Sequence, residues 1–327
     1  MHFITDDDVR RLITMRDAIE ELRLALEEHG RGQARVQPRV RTRGDDITLS
    51  TMGAILPNAG VCGAKVYSTH RGKFDFVIPL FSNDDGRLLS IVHGDALTEY
   101  RTAAVTRIAF EAFARTDARV LAVFGTGLQA RAHIRAIAAD SGIKRVLIVG
   151  IEHVAETVEE MQHCFPGIRF EPSAAQAAVQ AADVIVTATR STTPLFDGEH
   201  VKPGAFVAAI GSSKPDTREL DDTVLARAGM LVVESLEQAR LEAGDLLMAR
   251  PGIVDWDNVV ELGHTVGSGT TQTRAFTGDI TVFKSLGFGL ADVALAALVT
   301  RRMAGERMQR IPPVPNASPA KPASAKA

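Results

Sequence analysis

The chain has 327 residues, 45% hydrophobic and 24% charged, and its 37 basic and 40 acidic side chains leave a formal charge of −3. That balance offers no electrostatic footprint for nucleic acid or an anionic membrane. Apolar runs of about six residues cannot span a bilayer, and two cysteines without metal-type spacing exclude a disulfide framework or a cysteine zinc site.

The length suits two domains of roughly 100–200 residues each. The N-terminus lacks a basic stretch followed by an apolar one, so a cytoplasmic protein is expected. The first predicted element is a helix over 15–29, with Thr14 as cap, Asp17 three residues on, and Gly30 as stop. A basic stretch follows, with arginines at 31, 35, 39, 41 and 43, and alternation over 36–41 reads as a strand. Strands are predicted at 47–52, 63–68, 76–81 and 88–92, the last two joined through Asn83, Asp84, Asp85 and Gly86, and a helix at 96–114. Residues 1–115 thus form an α+β unit.

From 116 the pattern changes. Strands at 119–124, 145–149, 168–170, 184–189, 205–210 and 230–234 alternate with helices at 127–139, 154–163, 174–181, 219–228 and 236–243. Such alternation predicts βαβ units and a doubly wound parallel sheet over 116–283. A helix is predicted at 290–304. The last segment, 312–327, holds five prolines among Ala, Ser and Lys and is expected to be a disordered tail. The fold class is therefore α/β, a parallel sheet plus an α+β unit.

Gly125-Thr126-Gly127-Leu128-Gln129-Ala130 follows the apolar strand and opens a helix, the G-x-G-x-x-A pattern in its proper setting. Gly125 permits the sharp turn, Gly127 lets backbone approach a pyrophosphate at the helix N-terminus, and Ala130 allows close packing. The bland alternative is a tight glycine turn without ligand. Glu152 lies 22 residues beyond Ala130, where an acid binds an adenosine ribose diol and repels a 2′-phosphate. This favours NAD over NADP, although a solvated loop carboxylate fits the position equally. Thr189, after the fourth strand of the alternation, lies where strand ends line such a crevice.

In the N-terminal unit, Lys65 interrupts an apolar strand, and burial would lower its pKa toward an acid/base range. Arg101, near a helix start, suits bidentate capture of a carboxylate, as do Arg39 and Arg41. By pattern alone Lys65 reads as well on an exposed strand face, and Arg101 as a surface helix arginine.

Several stretches together resemble the ornithine cyclodeaminase/μ-crystallin family. They are 63–66, 97–104, 125–131, 211–220 and 279–287, in family order and covering nearly the whole chain except the tail. The resemblance implies a substrate and dimerisation domain built from 1–115 and 284–311, and a Rossmann domain over 116–283, in a homodimer. It implies Lys65 as the essential lysine, and Arg101 with Arg39, or alternatively Arg41, as carboxylate-binding groups. It also implies NAD(P)H contacts from Thr102, Gly125, Thr126, Gly127, Leu128, Gln129, Glu152, Thr189, Gly211 and Ser212, and no metal. Asp279 and Lys284 belong to the last stretch, where capping or interdomain contacts explain them as well as chemistry does.

Two positions depart from the cyclodeaminases. Ser213 stands where they carry an Asp two residues before the loop proline, and Thr51 where they carry a Glu before Met52. Asp216, beyond the proline, is expected to point elsewhere. The loop resembles the imine-reducing branch. The resemblance therefore implies reduction of a small cyclic imino acid, Δ1-pyrroline-2-carboxylate or Δ1-piperideine-2-carboxylate, to L-proline or L-pipecolate. Ornithine cyclodeamination and alanine-type dehydrogenation are the alternatives.

Overall fold

A computed structural model describes residues 1–267 and 280–309. Asp279 and the expected tail at 312–327 lie outside the described residues.

The first layer begins with β1 (His2–Ile4), α1 (Asp6–Leu12) and α2 (Met15–Gly30). Thr5 with Asp8, and Thr14 with Asp17, close capping boxes that satisfy the free N–H groups of α1 and α2. There follow β2 (Arg35–Val36), β3 (Val40–Arg43), β4 (Ile47–Leu56), β5 (Val61–His70), β6 (Lys73–Ser82), β7 (Leu88–His93) and α3 (Asp95–Phe113). The expected strand over 36–41 is two strands, because Pro38 brings no N–H and interrupts the ladder on β4. The sheet runs β1-β7-β6-β5-β4-β2, with β3 beside β2 on the same edge of β4. Only β1 runs parallel to its neighbour; the other pairings are antiparallel.

The second layer alternates β8 (Val120–Phe124), α4 (Leu128–Ala138), β9 (Arg145–Val149), α5 (Val154–Cys164), β10 (Arg169–Pro172), α6 (Ala175–Ala181), β11 (Val184–Thr187) and β12 (Phe206–Ala209). It continues through α7 (Asp222–Ala226), β13 (Ala228–Val233), α8 (Leu236–Glu242), α9 (Gly244–Leu247), β14 (Val260–Glu261), α10 (Leu262–Gly267) and β15 (Ile280–Lys284). The sheet order is β10-β9-β8-β11-β12-β15-β13-β14, parallel throughout. Strand order reverses between β8 and β11, the crevice where such sheets bind ligands. The helix expected at 219–228 shrinks to α7. Asp221 caps it by accepting from Val224 N, and Glu219 turns inward instead of joining it.

The chain then returns. α11 (Gly289–Gln309) lies across β4, β5 and β6 of the first sheet and beside α2 and α3. Its alanines and leucines from 290 to 299 are buried, and Arg302 reaches Asp17 of α2. One apolar cluster runs from α2 through α3 and α11 to β8 and β12, so the two sheets share a core. Among the described residues no helix is long and apolar enough to cross a membrane.

Candidate active site

Lys65 stands on β5 opposite Met52 of β4, on the sheet face that α11 covers. It is 1% exposed, so the expectation of a buried strand lysine replaces that of a lysine on an open face. Its Nζ lies 3.1 Å from Asp292 Oδ1 of α11, hydrogen-bonds Thr98 Oγ1 of α3, and sits 4.1 Å above the Phe76 ring. Burial pulls its pKa down to about 8, Asp292 pulls the other way, and the nearby Arg101 adds to the lowering.

Arg101 is also buried, on α3. Its Nε is 3.3 Å from the same Asp292 oxygen. Gly287, with φ +72°, lets the guanidinium lie flat against it, since a Cβ there would come within 2.3 Å of Arg101 Nη1. Asp292 Oδ2 accepts no hydrogen bond among the described residues.

Arg39 and Arg41 meet one carboxylate that the sequence reading missed. Glu242, at the end of α8, accepts from Arg39 Nη1 at 2.7 Å and from Arg41 Nε at 2.6 Å. Arg39 Nη2 also donates to the carbonyls of Leu286 and Gly287, while Arg41 Nη2 donates to the Ser213 carbonyl. Arg39 is thus largely committed within the protein, and Arg101 is not.

These side chains line a cavity of about 830 Å³ with Met52, Phe76, Thr98, Thr102, Gln129, Ser213 and Glu242. Asp216, expected to point elsewhere, is also on its wall. Gly72, in the turn after β5, also lines it. Thr51 is not among the lining residues, although its neighbour Met52 is.

The cavity reaches the glycine turn through Gln129. Gly125 has φ +113°, and a Cβ on it would come within 2.6 Å of the Ala188 carbonyl, which no other residue tolerates. Gly127 caps α4 without a side-chain hydrogen bond, and nothing lies within 4 Å of where its Cβ would be. Uncapped N–H groups facing open space at a helix start fit a dinucleotide pyrophosphate. Leu128 is exposed, Ala130 is buried, and Thr126 Oγ1 donates to the Glu152 carbonyl, so Glu152 with its exposed carboxylate stands beside the turn.

Another missed residue shapes the crevice. Glu219, fully buried, accepts from Thr187 Oγ1, Thr189 N and Oγ1, and Gly211 N, tying the loops after β11 and β12 together. The Ser212 hydroxyl donates to the Thr217 carbonyl at 2.6 Å. Lys284, also buried, bridges Asp245 at 2.9 Å and donates to the Ser212 carbonyl at 2.6 Å. The hydroxyls of Thr189 and Ser212 are therefore occupied by the scaffold. Among the described residues no cluster suited to a metal occurs.

A doubly wound parallel sheet with a glycine turn at its reversal point defines a Rossmann-like α/β protein of the dehydrogenase type, here with a second, mostly antiparallel layer and a cationic cavity beside the turn. The chain belongs to the ornithine cyclodeaminase/mu-crystallin family, which it matches over residues 2–307. The ketimine reductase mu-crystallin of Rattus norvegicus is 37% identical over 220 residues, 67% of each chain. The structure of a probable ornithine cyclodeaminase from Bordetella pertussis Tohama I is 44% identical with a TM-score of 0.91, covering 94% of this chain and 98% of its own. The Δ1-pyrroline-2-carboxylate reductase of Thermococcus litoralis, solved with NADH and L-proline, is 26% identical with a TM-score of 0.88, again over 94% and 98%.

Proposed function

We propose that the protein is an NAD(P)H-dependent reductase of small cyclic imino acids, converting Δ1-pyrroline-2-carboxylate or Δ1-piperideine-2-carboxylate to L-proline or L-pipecolate. The observation that carries this is the buried Lys65 ammonium beside the Arg101 guanidinium, whose Nη groups donate to no protein acceptor among the described residues. Relatives named ketimine reductase and Δ1-pyrroline-2-carboxylate reductase support it.

Each group has a part. Arg101, assisted by Arg41 and by Arg39 behind it, holds the substrate carboxylate by charge-assisted hydrogen bonds. Lys65 hydrogen-bonds the imine nitrogen and donates the proton that makes it an amine. With a pKa near 8, the lysine is mostly protonated at neutral pH yet weak enough in its hold on the proton to give it up. Met52 and Phe76 keep water from the reacting centre. Gly125, Thr126, Gly127, Leu128 and Gln129 hold the cofactor diphosphate, and Thr102, Thr189, Gly211 and Ser212 border the rest of the cofactor. A bound nicotinamide cofactor supplies the hydride for the C=N carbon.

Exposed Glu152 beside the turn favours NADH over NADPH. Residues 1–115 with 284–311 form the substrate and dimerisation unit, and 116–283 the cofactor unit, of a cytoplasmic homodimer. The two free cysteines suit that reducing compartment.

The purified protein should oxidise NADH, and NADPH more weakly, with the five- and six-membered imines, and consume neither with pyruvate and ammonium. Asp216 on the cavity wall supports a second activity, ornithine cyclodeamination, in which it would take the place of the acid missing at Ser213. Ammonia release from ornithine with catalytic NAD, and no imine reduction, would replace the first activity by the second.

A further inference from the structure

We propose that Asp292 is the positioning residue of the site: a shared counter-ion that keeps Lys65 protonated and sets the lysine's spacing from Arg101. This role rests on imine reduction with Lys65 as the acid, as proposed above.

The geometry is specific. Asp292 is fully buried in the first turns of α11, and one of its oxygens, Oδ1, is within 3.1 Å of Lys65 Nζ and 3.3 Å of Arg101 Nε. These two cations come from different elements, β5 and α3, and would repel each other without an anion between them. Its other oxygen has no partner among the described residues, so the carboxylate is not held there by backbone or cap hydrogen bonds. Gly289, at the start of α11, sits so close to Gly53 of β4 that a Cβ on it would come within 2.6 Å of the Gly53 backbone. The helix start that carries Asp292 is thereby seated on the strand beside Lys65.

The surroundings of Lys65 leave this task to Asp292. Arg101 and Thr98 face it from α3, Phe76 from β6, and Arg39 from the segment before β3. Asp95, at the start of α3, is a more distant acid whose own carboxyl is pushed up by burial and by Asp6 and Asp75. Glu242 is engaged by Arg39 and Arg41. Asp292 is thus the acid that touches the lysine, and without it two arginines would drive the proton off.

The sign follows. Lys65 acts while protonated, so activity holds at low pH and falls as pH rises through its pKa, near 8. Removing the anion moves that fall to lower pH, by about one to three units for an opposite charge at this range. The Asp292→Asn and Asp292→Glu variants test this, with kcat and kcat/KM followed from pH 5.5 to 9.5. In parallel, the pH dependence of Lys65 modification by trinitrobenzenesulfonate, located by mass spectrometry, reads the lysine without any substrate.

We expect Asn to shift both curves down and to lower kcat at pH 8 more than it raises KM. Glu should keep both curves within about half a unit of the parent, because the charge remains. A loss of activity in the Asn variant with both curves unshifted would overturn the role. If the Asn variant does not fold, the Glu variant decides: a curve shifted by a unit or more despite the retained carboxylate overturns it, and an unshifted one supports it. A shifted modification curve in a protein that reduces no imine would leave the counter-ion role intact and remove the proposed reaction instead.

Discussion

Arg39 and Arg101 are both buried arginines, yet their free valences differ. Arg39 already donates to Glu242 and to two carbonyls, whereas Arg101 has Asp292 alone on its Nε side. Truncating them should therefore have different consequences. Arg101→Lys keeps the charge but loses the planar fork, and a charge-assisted hydrogen bond is worth about 1.5–3 kcal/mol. We expect KM for the imine to rise roughly 10- to 100-fold with a smaller change in kcat. Lys65→Ala should do the reverse, lowering kcat by about 10²–10⁴-fold with little change in KM. Steady-state kinetics of the two variants side by side checks this, and equal effects on both constants in both variants would contradict the division of labour. Lys65 and Arg101 were visible in the sequence as candidates, Lys65 as a charge in an apolar strand and Arg101 near a helix start, although pattern alone read both equally as surface residues and the family resemblance singled them out. Asp292 and Glu242 were not, because a lone acid in a helix reads as a cap or a solvated face until the helix is known to lie against two buried cations.

At the scale of elements, the turns and periodicities of the doubly wound sheet were legible because each strand is short, apolar and bounded by polar turns. What escaped were pieces whose pairing is decided far away in sequence. β15 joins the sheet between β12 and β13, and β1 exists by pairing with β7, some ninety residues downstream. Glu219 looked like the start of a helix, but its carboxylate collects four hydrogen bonds, one from the last residue of β11 and three from the loops after β11 and β12, and that outweighs another half-turn of helix. The contact of α3 with α4 contains a further polar link. His133, buried, bonds the Gln129 carbonyl through Nδ1 at 2.7 Å and Thr106 Oγ1 through Nε2 at 3.0 Å. A carbonyl only accepts, so Nδ1 carries a proton. Burial lowers its pKa from 6.5 to about 4. The unfolded chain then binds a proton that the folded chain refuses, so stability is full above pH 6.5 and falls as pH drops from 6.5 to 4. The loss is on the order of 3 kcal/mol. A His133→Gln variant, which keeps a donor and an acceptor but cannot titrate, should show a flatter decline in urea midpoint over that window. A decline as steep as the parent's would assign the acid sensitivity elsewhere.

For the whole molecule, the returning helix α11 covers one face of the first sheet and leaves the other open. Side chains opposite each other in register share a face, so Val40, Leu49, Ile55, Val66 and Val77 lie on the uncovered side, with Ile47 at its end. Val40, Ile47, Leu49 and Ile55 are each about half exposed. The covered face of the same strands carries Met52, Lys65 and Tyr67, all buried. Thr42, Thr51, Ser68 and Asp75 share this face, so its half-exposed apolar side chains are interleaved with polar ones, as in an interface rather than a core. A second copy related by a two-fold axis would bury it against itself. The proposed homodimer would then have its interface on the opposite side of the sheet from the lysine, so that strand rigidity, and with it the position of Lys65, depends on pairing. Leu49→Asp together with Ile55→Asp should place charges that cannot be paired in that interface. Light scattering should give a mass near that of one 35.1 kDa chain for the double variant and near twice that for the parent. Specific activity should be lower in the variant than in the parent and independent of the variant's dilution, because the monomer lacks support behind β4 and β5 at every concentration. A double variant that keeps the doubled mass would show that the copies meet through another surface, and a parent of single-chain mass would leave this sheet face without a partner of its own kind.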